Sequence, residues 1–426
     1  MAKSRTPVMP PPGRVNNENP FKPGAGHSPP HLAGREDEIA QFGKLLEQRL
    51  IILNVVLTGL RGVGKTVLMD DVYKPLAIEK NWVWVGSDFS ESAFVDEYSL
   101  CLRLLTDLSL FTSELTVKVS ARVLGLKSDA IHEERLTFDF LTDYFERQNG
   151  LVADKLQNTL ELCWSAIEKS GKNGILFAYD EAQVVQDRRE KDQYPLAAML
   201  QVFQSVQRKG MRYMLLLTGL PTLFPKLVES RTYAERMFVV QEIGKLSRKS
   251  CLAAIEKPLE SNLIKFTPAS IEAIVDESKC YPYFIQYICR EAYDYFKTWY
   301  EQRPNHPIAP IPIKTLVRKL ESDFFAGRWS RATDRQRELL LCVSHLAHAA
   351  EEFTVNEIAT TSKSVATAFN FKPFKKGDIG QLLPKLVESG FIYKTRHGKY
   401  SLAVPLFDEF IKRQFELKQK NEPSLF

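Results

Sequence analysis

Apolar residues recur along this chain with two different periods. Residues 34–47 carry them at helical spacing, and residues 50–58 form a strand-length apolar run interrupted only by Asn54. A glycine-rich loop follows at once, then a helical pattern over 66–74 that Pro75 is expected to end. Residues 82–86 read as a second short strand and 97–110 as a helix by leucine spacing. Polar and apolar residues alternate over 116–124, which predicts an extended segment inserted into the core fold. An amphipathic helix over 151–170 leads into a third strand at 174–179, and a helix over 194–208 leads into a fourth at 211–218. A fifth is expected at 237–242. Strands alternating with helices predict an α/β domain whose mostly parallel sheet is covered on both faces.

From Ser247 the strand signal stops. Residues 248–259, 268–278 and 282–302 read as three helices, closed by a break holding Pro304, Pro307, Pro310 and Pro312. Helices over 313–325 and 333–348 come next, then short helices over 353–361 and 378–389. Two strands, 391–394 and 399–402, flank a glycine-containing turn at 395–398. Helices followed by a β-hairpin make a winged-helix pattern, whose second helix can enter a major groove while the wing meets phosphates. Lys372, Lys375, Lys376, Lys385, Lys394, Arg396 and Lys399 would form its basic face, with Lys385, Lys394, Arg396 and Lys399 the candidate DNA contacts. Pro384 is expected to kink the second helix or shift its start. A protein-docking or autoinhibitory role for the module remains open beside the DNA reading.

Charge sharpens this division. The chain of 426 residues carries a net charge of +5, but residues 306–426 hold 19 lysines and arginines against 13 acids, so the remainder is slightly negative. The six cysteines have no CxxC spacing and the seven histidines no ligand pattern, which reads as reduced thiols in a cytoplasmic protein. No apolar run is long enough to span a bilayer. Residues 1–30 contain eight prolines and read as a disordered or extended arm without the apolar core of a secretory signal.

The candidate chemistry begins at Gly59-Leu60-Arg61-Gly62-Val63-Gly64-Lys65-Thr66, between an apolar strand and a helical pattern. Gly59, Gly62 and Gly64 let backbone N–H groups approach phosphates at a helix N-terminus. Lys65 should reach the β- and γ-phosphates of ATP, and the Thr66 hydroxyl should ligate Mg²⁺. A second apolar strand ends in Asp180-Glu181: Asp180 can hold Mg²⁺ through water, and Glu181 can polarise the attacking water. A third ends in Thr218-Gly219-Leu220-Pro221, which would bring the Thr218 hydroxyl near the γ-phosphate if that strand neighbours the other two.

Together these features resemble AAA+ ATPases of the origin-recognition and STAND-like type that carry a C-terminal winged helix. The resemblance covers about residues 30–413 and begins at Leu32-Ala33-Gly34-Arg35-Glu36, similar to an hhGRE motif on the adenine side. It implies backbone contacts from Ala33 and Gly34, with Arg35 near the nucleotide. Asp180-Glu181-Ala182-Gln183 resembles a Walker B end, and Thr218 a sensor-1 residue. Arg236 takes the place of an arginine finger completing a neighbouring subunit's site; Arg231 is a weaker candidate, and a surface salt bridge of Arg236 with Glu235 or Glu242 is the plain alternative. In the lid, Cys280-Tyr281-Pro282 keeps the proline of a STAND Gly-x-Pro without its glycine. Pro282 would pack against nucleotide, or simply start a helix. No sensor-2 arginine is evident, Arg290 being a distant candidate.

The resulting expectation is a P-loop NTPase (AAA+) α/β fold with a helical lid and a C-terminal winged-helix domain. Its divisions are an arm at 1–30, the ATPase domain at 31–246, the lid at 247–305 and the winged helix at 313–416. The expected function is an ATP-hydrolysing switch needing ATP and Mg²⁺, self-assembling as a homo-oligomer, with double-stranded DNA and a protein as further partners and no membrane. A STAND-type signalling ATPase held shut by its winged helix, and a nucleotide-bound adaptor without catalysis, are the alternatives.

Overall fold

In the computed structural model the described residues are 18–24, 26–49, 51–86, 88–89, 96–120, 131–302, 310–348, 351–396 and 398–421. Most of the expected arm (1–17), the end of the extended segment (121–124), most of the proline-rich break and His397 of the turn lie outside them. The chain divides into two units, one from residues 36–59 and 65–243, the other from the described residues up to Arg35, from 60–64 and from 244 onward.

The first unit is built on five parallel strands. In chain order it runs α1 (Glu36–Leu46), β1 (Asn54–Thr58), α2 (Lys65–Val67), a wide turn (Leu68–Tyr73), α3 (Lys74–Glu79) and β2 (Trp82–Val85). Then come α4 (Glu97–Thr112), β3 (Thr116–Ser120), β4 (Ile131–Arg135), α5 (Phe138–Arg147), α6 (Val152–Lys169) and β5 (Gly174–Tyr179). It ends with α7 (Pro195–Arg208), β6 (Tyr213–Gly219), α8 (Leu223–Ser230), α9 (Ala234–Met237) and β7 (Phe238–Glu242). The sheet order is β2-β5-β6-β1-β7, and β1, β5 and β6 are buried along their whole length. That explains their continuous apolar runs, since a central strand of a parallel sheet faces core on both sides. The segment expected to be inserted is an antiparallel β3–β4 pair.

Asn54 is fully buried in β1, yet satisfied. Its amide donates to the Met237 carbonyl at 3.3 Å, and its Oδ1 accepts from Leu215 N at 2.8 Å and Gln207 Nε2 at 2.9 Å. A polar residue that looked like an interruption therefore stitches β1 to both flanking strands. Pro75 does not end the first helix. The wide turn resets the hydrogen-bond ladder, so Pro75 falls in the first turn of α3, where no N–H is needed.

The second unit begins its long run with α10 (Arg248–Glu256), α11 (Pro268–Ser278) and α12 (Pro282–Gln302). Ser247 and Thr267 cap the first two, accepting from Ser250 N at 3.1 Å and Ser270 N at 3.2 Å. It continues with α13 (Ile313–Phe324), α14 (Ala326–Trp329), α15 (Asp334–Ser344), β8 (Phe353–Thr354), α16 (Val355–Ala368), α17 (Lys376–Glu388), β9 (Ile392–Arg396), β10 (Lys399–Leu402) and α18 (Phe407–Asn421). β8, β10 and β9 form a small antiparallel sheet, which completes the helix, helix and hairpin arrangement of a winged helix. α13, grouped with the winged helix on sequence, packs against α11 and α12.

Pro384, expected to kink this helix or shift its start, lies inside α17, and the residue four back, whose carbonyl the proline cannot satisfy, is the exposed Gly380. The described end of the arm packs on helices of its own unit. Phe21 is buried at 2% exposure and stacks on Phe266, while Asn19 Nδ2 donates to the Arg290 carbonyl and to Asp294 Oδ1, both at 2.9 Å.

Candidate nucleotide site

Register brings the site of the first unit together. Thr58 pairs with Gly219, and Tyr179 pairs with Leu217, so Asp180 falls opposite Thr218 at the carboxyl edge of the sheet. The end of β5 is anchored from below: Tyr179 Oη donates to Asp107 Oδ2 at 2.8 Å, and Phe89 stacks on the Tyr179 ring at 3.9 Å. Asp180, only 4% exposed, accepts from two hydroxyls. Thr66 Oγ1 donates to its Oδ2 at 2.5 Å, and the fully buried Thr218 Oγ1 donates to its Oδ1. The Glu181 N–H also donates to Asp180 Oδ1, at 2.7 Å. Lys65, 8% exposed, donates from Nζ to the Gly59 carbonyl at 2.9 Å.

These groups suit a divalent cation of the Mg²⁺ kind. The donor set is a hydroxyl and a carboxylate, both hard oxygens, and Mg²⁺ takes few protein ligands and keeps water in the rest of its shell. The surroundings are anionic. Partial burial raises the Asp70 carboxyl, against Lys74, and the charges of Asp180, Asp88 and Asp71 push it the same way. Among the described residues, no group of three or more histidine, cysteine or acidic side chains is placed to hold a metal.

Glu181 is partly buried and stands in the left-handed region at φ 51°, a conformation uncommon outside glycine. Its carboxylate accepts from Gln183 Nε2. Gln183 is a residue whose local role the sequence did not disclose. Its Oε1 accepts from Leu220 N at 3.1 Å, and its carbonyl accepts from Lys226 Nζ at 3.3 Å. Arg236, in α9, is exposed and makes no ion pair with Glu235 or Glu242, so the plain alternative for it is absent here. Arg231 donates to Gln201 Oε1 at 3.2 Å.

The remaining loop residues lie in the second unit. Gly62 and Gly64 take φ +80° and +92°, where a side chain would be strained, and a Cβ on Gly62 would also meet Tyr283 Cβ at 3.0 Å. Arg35, 6% exposed, donates to the Val63 carbonyl at 3.2 Å and the Gly244 carbonyl at 2.6 Å. Its guanidinium is thus engaged by backbone, as a brace for the loop. Pro282 opens α12, and the next residue, Tyr283, donates its N–H to the Gly62 carbonyl at 3.1 Å. Sequence reading found no lid arginine beyond the exposed Arg290. Outside the expected lid, in α14, Arg328 has its Nη1 buried with no hydrogen-bond partner among the described residues. Burial lowers the Arg328 pKa, and the positive charges of Arg61 and Arg331 lower it further. No local motif marks Arg328, because its approach to Arg61 joins segments far apart in sequence.

On the winged helix, Lys385 and Lys394 are exposed, and Lys399 pairs with Glu352 at 3.2 Å. Arg396 lies in β9. Lys372, Lys375 and Lys376 are exposed around the start of α17. Arg335 donates to the Lys372 carbonyl at 2.6 Å and lies over the Phe374 ring, fixing the approach to that helix.

In its sheet order, with the loop after β1 and the carboxylate after β5, the chain shares the P-loop fold of solved archaeal AAA+ and origin-recognition structures. Solved structures with this fold include a Walker-type ATPase of Pyrococcus abyssi, at TM-score 0.54 and 15% identity, covering 89% of this chain and 96% of that one. The ORC2 protein of Aeropyrum pernix in its ADP form superposes at TM-score 0.53 and 13% identity, covering 94% and 99%. In sequence, the chain is 23% identical over 424 residues to an uncharacterized HTH-type transcriptional regulator of Methanocaldococcus jannaschii, covering 94% of each. Residues 322–411 match a family described as a domain of unknown function, DUF8462. No helix among the described residues is long and apolar enough to cross a membrane, and all six cysteines are free.

Proposed function

We propose that the protein is an ATP-binding and ATP-hydrolysing AAA+ switch that assembles with copies of itself and associates with duplex DNA through its winged helix. The observation that carries the ATPase reading is the buried Asp180 carboxylate shared by the hydroxyls of Thr66 and Thr218 at the end of the sheet. Lys65 would exchange the Gly59 carbonyl for β- and γ-phosphate oxygens, and the N–H groups around Gly62 and Gly64 would take up the phosphate charge. Thr66 and Asp180 would hold Mg²⁺, which neutralises charge on the phosphates. Glu181 would receive a hydrogen bond from the attacking water and draw its proton as the water oxygen bonds to the γ-phosphorus and the bond from that phosphorus to the ADP oxygen breaks. Thr218 would orient the terminal phosphate. The name of the archaeal relative and the winged-helix pattern favour DNA as a partner.

The test uses two variants of the full chain. MgATP at about a hundredfold over its Kd should stabilise the wild type by about 2.7 kcal/mol, and Lys65→Ala should lose that stabilisation. Glu181→Gln should retain it and hydrolyse ATP about 10² to 10⁴ times more slowly, the usual worth of a general base. Equal stabilisation in Lys65→Ala, or unchanged turnover in Glu181→Gln, would refute the assignment.

A further inference from the structure

Glu181 is anchored in a way the proposed chemistry does not by itself require. Its carboxylate Oε2 accepts from the side-chain amide of Gln183, two residues on. The other end of the same amide is fixed: Gln183 Oε1 accepts from Leu220 N at 3.1 Å, immediately after Thr218 and Gly219. The Gln183 backbone carbonyl accepts from Lys226 Nζ at 3.3 Å. One glutamine therefore ties the carboxylate after β5 to the chain leaving β6.

Gly219 supplies an independent observation. Its φ does not lie in the left-handed region, so its conformation does not call for glycine. A Cβ there would overlap Gln183 Oε1 and come within 3.0 Å of Leu223 Cδ2. The absence of a side chain at 219 makes room for the glutamine amide.

We propose that Gln183 is a positioning residue for Glu181: it holds one carboxylate oxygen so that the other is left for the attacking water. This rests on the reading of Glu181 as the base. A free glutamate side chain samples several rotamers, and only some present an oxygen to water in line with the phosphate. Pinning Oε2 to a donor that is itself pinned to the backbone removes that freedom before substrate arrives. Gln183 acts through Glu181 and makes no contact with the reacting atoms.

The experiment is a cycle of Gln183→Ala and Glu181→Gln on the full chain, read in kcat, KM and the equilibrium Kd of a non-hydrolysable ATP analogue. Gln183→Ala is expected to lower kcat by about 10 to 100-fold, the scale of a small misplacement of a catalytic group. KM and the analogue's Kd should stay within about twofold, since one carboxylate rotamer is not a binding contact. Gly219→Ala should lower kcat in the same way, by displacing the glutamine amide without replacing it. Under single-turnover conditions, Gln183→Ala should have no further effect in the Glu181→Gln background. Gln183→Glu keeps the length and removes the donor; it serves where truncation unfolds the loop, and is expected to be as slow. A wild-type kcat in Gln183→Ala beside an inactive Glu181→Gln overturns the positioning role alone. So does an equal loss in the Glu181→Gln background, which marks a merely structural effect. A wild-type rate in Glu181→Gln removes Glu181 from the reaction and this proposal with it.

Discussion

The Thr66 hydroxyl and the Asp180 carboxylate, 114 positions apart in the chain, meet at 2.5 Å. The bond joins the first turn after the phosphate loop to the end of β5, two strands away across the sheet. On the proposed reading the two residues would share one task, since a hydroxyl and a carboxylate are hard oxygen donors of the kind that Mg²⁺ takes. Thr66→Ala should therefore bind the non-hydrolysable ATP analogue with its Mg²⁺ requirement raised about tenfold, and Asp180→Asn likewise, the scale on which groups around a metal site tune its affinity. Analogue Kd measured across a Mg²⁺ series checks this. A Kd that responds to Mg²⁺ as in the wild type would remove both residues from the metal site.

Arg236 is exposed at the approach to β7, with no ion pair among the described residues. If it serves a neighbouring copy, Arg236→Ala should bind ATP normally and hydrolyse it slowly at every protein concentration. Trans arginines in phosphoryl transfer are worth about 10³ to 10⁵ in rate. Mixing Arg236→Ala with Lys65→Ala pairs an intact site with an intact finger. Activity should return and rise with total concentration; co-assembled but inactive mixtures would return Arg236 to the surface.

Lys385 and Lys394 are exposed on the winged helix, and Lys399 shares part of its charge with Glu352. Duplex affinity should fall with salt as these cations displace counterions. Replacing Lys394, Arg396 and Lys399 together by alanine should flatten the logarithmic salt slope by at most about 3 units, near one per lost phosphate contact. Lys399 is expected to contribute least. Binding without salt dependence, or none at low salt, favours a protein-docking module.

Phe21 is 2% exposed, and the residues beside it hydrogen-bond to α12: Asn19 to Arg290 and Asp294, and Lys22 N to Gln286 Oε1 at 3.4 Å. Phe21→Ala should destabilise this unit by about 3 kcal/mol, the cost of emptying a buried aromatic site. Denaturant unfolding, followed by a probe on α12, measures it. An unchanged midpoint would mean that the arm contributes nothing to the unit's stability.

Much of this protein is legible in its sequence, for reasons that are local. The runs of β1, β5 and β6 are apolar on both faces because central parallel strands are buried on both faces, so their positions follow from composition alone. The loop 59–66 is recognisable because phosphate binding demands glycine, lysine and threonine at fixed spacing in continuous chain. The three helices after Ser247 follow from their periodicity, and the first two begin at the Ser247 and Thr267 caps. What tertiary structure decided involves groups far apart in sequence, or local geometry that composition does not encode. Asn54 is a stitch and not an interruption because Gln207 and Leu215 come to meet it. Pro75 is tolerated because a wide turn restarts the helix before it. Strand order alone sets Thr218 opposite Asp180, and the chain leaving β6 gives Gln183 its second anchor. Hydrogen bonds act over about 3 Å in space and are indifferent to distance along the chain; a pattern read along the chain therefore finds the elements and the loop, and the fold chooses which side chains meet.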